Sequence, residues 1–210
     1  MADKIKTEKN TAVNIDEKKL SELRAIISEY TDISGRRLSH TLSVEKECGV
    51  LAEIFGLCGN DRRRLCAAAL LHDITKETGK AAQLEIIKYA GVELHPFDKR
   101  GDKFLHQASG SAMAKILGIE DEEILDAIRY HTTGKANMTM LEQIIYLADF
   151  ISADRDYKDI DIIRKETQRG IEYGLLYGTA YTIKSVASRQ ILLHPMTVEA
   201  YNWIIDEYFN

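Results

Sequence analysis

The stretch Ala67-Ala68-Ala69-Leu70-Leu71-His72-Asp73-Ile74 runs a small apolar segment straight into an imidazole and a carboxylate. Alanine and leucine are strong helix formers, so the segment reads as the end of a buried helix. A core helix seldom ends in two groups this costly to desolvate unless a partner holds them, and a metal ion uses both at once. A His-Asp pair alone is weak, because an adjacent carboxylate can simply orient an imidazole. The weight therefore falls on what the rest of the chain supplies.

Single histidines stand at 40, 106 and 131, and Asp149 lies inside the apolar run Ile144-Ile145-Tyr146-Leu147-Ala148-Asp149-Phe150-Ile151. Each falls on a separate predicted helix or at its end. The order His40, His72-Asp73, His106, His131, Asp149 fits a site inside a helical bundle, where facing helices each contribute a ligand. A mixed nitrogen and oxygen set suits iron, manganese, cobalt or zinc and disfavours calcium and magnesium, which prefer oxygen shells. No cysteine belongs to the set, which speaks against a structural zinc site.

The composition agrees with a helical protein. The 210 residues are 45% apolar, enough for one sizeable core, and hold only two prolines, Pro96 and Pro195. Alternation of β-branched residues is almost absent, so the expected fold class is all-α. The formal net charge is −5 and no basic stripe occurs, which sets nucleic-acid binding aside. Cys48, Cys58 and Cys66 are odd in number with no C-x-x-C spacing, so reduced thiols and a cytoplasmic setting are expected. Residues 1–14 are polar and read as a disordered tail without a signal peptide. No apolar run approaches membrane-spanning length. Residues 15–210, without repeats or low-complexity segments, read as one domain; a homodimer is compatible with the chain.

Along the chain, Asp16 is expected to cap a helix to Tyr30, and Gly35 to precede one from Arg36 to Phe55 whose apolar face holds Leu38, Leu42, Cys48, Leu51, Ala52 and Phe55. Asn60 or Asp61 should cap the helix that ends at His72. Residues 92–104 read as a loop, with a helix from about His106 to Leu117. Asp121 caps the helix leading to His131, and Thr139 with Glu142 makes a capping box for the helix of Asp149. Two or three further helices should fill 158–210, broken at His194-Pro195.

Cations accompany the ligands. Lys76 follows Asp73 by three residues and Arg37 precedes His40 by three, each on the same helical face if the helix continues. Arg155 follows Asp149 by six. Cations repel a metal unless an anion lies between them, and phosphate fits that arrangement.

The segments L-L-H-D-I-T-K-E (70–77), F-L-H-Q-A-S-G-S-A (104–112), A-I-R-Y-H-T-T-G (127–134), I-I-Y-L-A-D-F-I-S-A-D-R (144–155) and H-P-M-T-V-E-A-Y-N (194–202) stand in this order. Together they resemble the HD-domain metal-dependent phosphohydrolases, and more closely the YqeK-like symmetrical diadenosine tetraphosphate hydrolases. The resemblance covers residues 18 to 205. It implies an HD-type helical bundle and iron held by His40, His72, Asp73 and Asp149. It implies phosphate contacts from Arg37, Lys76, His106, His131, Thr132 and Arg155, and a nucleoside pocket closed by His194 and Thr197. The expected reaction splits diadenosine tetraphosphate into two ADP, with Asp73 and Lys76 as catalytic residues. Ordinary nucleoside mono- or triphosphates as substrates, or a non-catalytic nucleotide sensor, are the alternatives. One tight ion is expected, with His106 and His131 serving the substrate in preference to a second ion. The family commonly has Ile-Glu-Pro where this chain has Ile151-Ser152-Ala153, so the turn after Asp149 is expected to be more helical here.

Overall fold

The protein is described by a computed structural model covering residues 14–30 and 35–210, so the expected tail lies, except for Asn14, outside the described residues. Among the described residues there are ten α-helices, one short 3₁₀ turn (Asp98–Arg100) and no strand. The helices are α1 (Glu17–Tyr30), α2 (Arg36–Ile54), α3 (Gly59–Leu71), α4 (Lys80–Ala90), α5 (Asp102–Ile116), α6 (Glu122–Tyr130), α7 (Met140–Ile151), α8 (Ile160–Arg169), α9 (Ile171–Ser188) and α10 (Pro195–Tyr208). None is long and apolar enough to cross a membrane.

The C-terminal half of α3 and most of α7 form the centre, where a helix without a solvent face is apolar on most sides. In α3 every residue from Ala67 to Leu71 is buried, and in α7 the whole run Leu141–Ala148 is buried. α2 packs on both α3 and α7, α6 packs on both from another side, and α1 covers α3. α5 joins α6 and the end of α3, and α4 lies over α5 around a smaller core of Ile87, Leu105, Ala108 and Ala112. α8, α9 and α10 close the far side of α7.

The expected caps hold in most places. Asp16 accepts the Lys19 N–H, Asp121 accepts from Glu123 and Ile124, and Thr139 with Glu142 forms the reciprocal box. The α3 start differs: Asn60 and Asp61 do not cap it. The helix begins after Cys58, Asn60 Oδ1 accepts the Ile15 N–H, and Asp61 pairs with Arg64. Leu42 is exposed, because α2 turns the stripe His40, Thr41, Val44, Cys48, Leu51 inward. α5 starts at Asp102, four residues before the expected His106, with extended Gly101 as its N-cap.

Two glycines matter for packing. A Cβ on Gly110 of α5 would stand 3.1 Å from the His72 carbonyl oxygen and 3.3 Å from Ile128 Cγ2, so glycine lets α5 approach the end of α3 and the flank of α6. Gly134, after His131-Thr132-Thr133, has φ +65 and ends the α6 segment in the left-handed region.

Candidate active site

α3 stops at Leu71, and His72 occupies its C-cap. The last carbonyls of a helix lack intrahelical donors. His72 Nδ1 uses one of them, the Ala69 oxygen at 2.7 Å, and His131 Nδ1 uses the Ile128 oxygen at the end of α6, at 2.8 Å. A carbonyl only accepts, so Nδ1 carries the proton and, in the neutral ring, Nε2 presents its lone pair inward.

Those Nε2 atoms meet carboxylates. His72 Nε2 is 3.5 Å from Asp73 Oδ2 and 4.0 Å from Asp149 Oδ1. His40 Nε2, from α2, is 3.0 Å from Asp149 Oδ1 and 3.7 Å from Asp73 Oδ2. Donors bound about 2.1 Å from a shared ion stand roughly 3 to 4 Å apart. His40, His72 and Asp73 place donor atoms within 4.8 Å of one another, and so do His72, His131 and Asp149, so Asp149 meets the first group through His40 and His72. His72 Nε2 and Asp73 Oδ1 are buried without a hydrogen-bond partner, and unsatisfied buried polar atoms call for one. The donor set fits a divalent ion.

A second group adjoins the first. His106 and His131 each place Nε2 3.4 Å from Asp73 Oδ1 and 3.3 Å from one another. Thr132 Oγ1 lies 3.0 Å from His131 Nε2 and 3.3 Å from His106 Nε2. Asp73, His106 and His131 also have metal-donor spacing. Burial holds the His106 imidazole well below the usual histidine range, so it is neutral near pH 7. With Nδ1 committed to Ile128, His131 donates through Nε2 only as an imidazolium.

The three expected cations all reach the ligand carboxylates. Arg37 Nη1 and Lys76 Nζ lie 2.6 and 2.9 Å from Asp73 Oδ2, and Arg155 pairs with Asp149. Burial alone would raise the Asp73 and Asp149 carboxyls. The facing imidazoles and these cations outweigh it and hold both well below the usual carboxylate range. α3 ends where expected, so Lys76 does not reach Asp73 along a continued helix: residues 72–77 form turns, with Lys76 N–H bonded to the Asp73 carbonyl oxygen, and the Lys76 side chain still returns to the Asp73 carboxylate. Nor is the segment after Asp149 more helical. α7 ends at Ile151, Ser152 Oγ bonds Asp154 Oδ1, and Arg155 Nε caps the Asp149 carbonyl. Such local side-chain bonds compete with helix continuation.

His194 and Thr197 stand apart from this cluster. Both are buried at the start of α10. His194 lines a separate cavity of about 340 Å³ with His95, Asp98, Gln107 and Arg129, and its Nε2 lies 3.4 Å from Asp98 Oδ1. Sequence reasoning missed Glu77, which holds Arg37 at 2.8 Å, and the buried Asp98–Arg129 pair. It also missed Asp154, whose Oδ2 is 2.8 Å from His40 Nδ1. Glu77 and Asp154 each stand beside an expected cation, Lys76 and Arg155, but nothing in the sequence shows which side chain each would meet.

The HD domain family matches residues 37–154, from the arginine before His40 to Asp154. The symmetrical bis(5'-nucleosyl)-tetraphosphatase of Bacillus subtilis (strain 168) is 31% identical over 173 residues, 82% of this chain and 91% of that protein. The chain belongs to this HD-domain hydrolase family. The protein of the same name from Staphylococcus aureus is 33% identical over 180 residues, 83% of this chain and 87% of the relative. A crystal structure titled as a predicted HD superfamily hydrolase involved in NAD metabolism, from Clostridium acetobutylicum, superposes with a TM-score of 0.79 at 33% identity. It covers 93% of this chain and 100% of that one. An HD domain implies a divalent metal, which agrees with the His and Asp cluster.

Proposed function

We propose that this HD hydrolase cleaves diadenosine tetraphosphate symmetrically to two ADP. The observation that carries this is the buried cluster of His40, His72, Asp73 and Asp149, which we assign as the metal donors, with Arg37, Lys76 and Arg155 against its carboxylates. A cation-rich rim on a metal shell suits a polyphosphate. The names of the relatives supply the dinucleotide and the symmetrical cut.

The four donors would hold the ion, for which iron is our assignment, and when bound it supplies charge neutralisation and water activation at phosphorus. Asp73 anchors that shell and orients Lys76 and Arg37 toward the phosphate oxygens. Lys76 neutralises charge on the transferring phosphoryl group, and Arg37 and Arg155 fix the neighbouring phosphates. His106, His131 and Thr132 form a hydrogen-bonding group that receives phosphate, leaving one tight ion per chain. The leaving ADP departs as a stable anion, so a strong general acid is not required. His194 and Thr197 close the nucleoside pocket, and the cavity that His194 lines supports that role for His194. Residues 15–210 act as one domain, and the cytoplasm is the proposed compartment.

Product analysis tests the reaction. Diadenosine tetraphosphate incubated with iron-, manganese- or cobalt-loaded protein should give two ADP and nothing else. Formation of AMP with ATP, or release of orthophosphate from mononucleotides at a higher kcat/KM, refutes it.

A further inference from the structure

His72 and His131 orient themselves with carbonyls left over at helix ends. His40 has no such recourse. It is the fifth residue of α2, where the carbonyls three and four residues back belong to the helical ladder. Its Nδ1 instead meets Asp154 Oδ2 at 2.8 Å, across the gap from α2 to the turn after α7. The carboxylate is itself held: fully buried Ser152 donates to Asp154 Oδ1 at 2.7 Å, and Ser43 of α2 also bonds it.

We propose that Asp154, fixed by Ser152, is a positioning residue that orients His40 toward the metal shell and sets its tautomer. A carboxylate only accepts, so the Nδ1 proton points at Asp154 and the Nε2 lone pair faces Asp149 and Asp73. A charged acceptor also strengthens the ring as a metal donor more than a carbonyl does. His40 is thereby the one histidine of the shell held by a charge, and its hold depends on the turn after α7 and not on α2. The inference rests on the assignment of His40 as a ligand.

Zinc-loaded full-length protein provides the test. Chelator competition should show zinc bound about 10 to 100-fold more weakly in Asp154→Ala, the usual span for loss of such a partner. Asp154→Asn, which keeps an acceptor without the charge, should fall between, and Ser152→Ala should weaken binding less than Asp154→Ala. In nuclear magnetic resonance spectra the His40 Nδ1 proton should be sheltered from exchange in the wild type and in Asp154→Asn, and lost in Asp154→Ala. His40→Ala is the control. If it loses zinc while Asp154→Ala keeps wild-type affinity and a sheltered Nδ1 proton, the positioning role is overturned and the ligand assignment stands. If His40→Ala keeps its zinc, the ligand assignment itself fails.

Discussion

Asp73→Ala removes the carboxylate on which the cluster converges. Its Oδ2 faces Arg37 and Lys76 at 2.6 and 2.9 Å, and its Oδ1 faces His106 and His131 at 3.4 Å each. Deleting one partner of a fully buried ion pair costs roughly 3–5 kcal/mol. Here the cations have alternatives: Arg37 keeps Glu77 at 2.8 Å, and the Lys76 side chain is 30% exposed. The expected loss of stability is therefore smaller, about 2 kcal/mol, or about 4–8 °C in Tm for a chain of this size. Activity should fall much further. Losing the ion forfeits several kcal/mol of charge stabilisation, and 4 kcal/mol corresponds to about 10³-fold in turnover. Metal content after gel filtration, ADP formation by chromatography and thermal melting by circular dichroism measure the three effects, with Asp73→Asn as the shape-conserving control. A variant that keeps one equivalent of metal and turns over within about tenfold of wild type refutes the reasoning.

Lys76→Met should leave metal content unchanged and lower kcat by roughly 10²-fold, as for removal of one transition-state donor; wild-type kinetics would return Lys76 to the surface charges. In the His106→Ala, His131→Ala double variant, metal content should hold while nucleotide binding weakens, and loss of one equivalent from a two-metal wild type would contradict the single-ion assignment. Gly110→Ala forces a Cβ against the His72 carbonyl and Ile128, so about 1–3 kcal/mol of stability should go, with metal binding weakened as the end of α3 shifts; an unaffected variant would show that α5 can retreat. Asp121 caps α6 and receives Arg64 at 2.7 and 2.8 Å. Burial would raise its carboxyl, but Arg64 and the backbone donors hold it below the usual value, so its contribution is present above the unfolded pKa of about 3.9 and is lost as pH falls through the lower folded one. Asp121→Ala should cost about 2 kcal/mol in urea unfolding at pH 7, and the gap should narrow only below about pH 3.9; narrowing between pH 7 and 5 would contradict the linkage.

The helices were legible because their signals are local. The Thr139–Glu142 box, the Asp121 cap and the apolar run Ile144–Ala148 of α7 each specify an element within a few residues. The α3 cap was not, because Asn60 is claimed by Ile15, forty-five residues away. Leu42 was misplaced because it follows Leu38 by one helical turn, whereas Leu38 and Phe55 pack at the margins of the core and the buried stripe runs through Thr41, Val44 and Cys48. Convergence of His40, His72, Asp73 and Asp149 could be expected from residue type, since the His72-Asp73 pair ends an apolar run and Asp149 interrupts another. The groups behind them could not. Asp154, Glu77 and Asp98 look like any surface acid until the fold sets an imidazole or guanidinium against them.

His72 and His131 both sit one residue past a helix and both lean on a carbonyl three residues back. α3 and α6 thus act as rulers whose graduations are single residues. Adding one residue inside either would advance the imidazole by about 1.5 Å and swing it by about 100°, away from the shell. Added residues in the segment between α4 and α5 change no such distance. Length variation within either ruler is therefore ruinous to the placement of these two histidines.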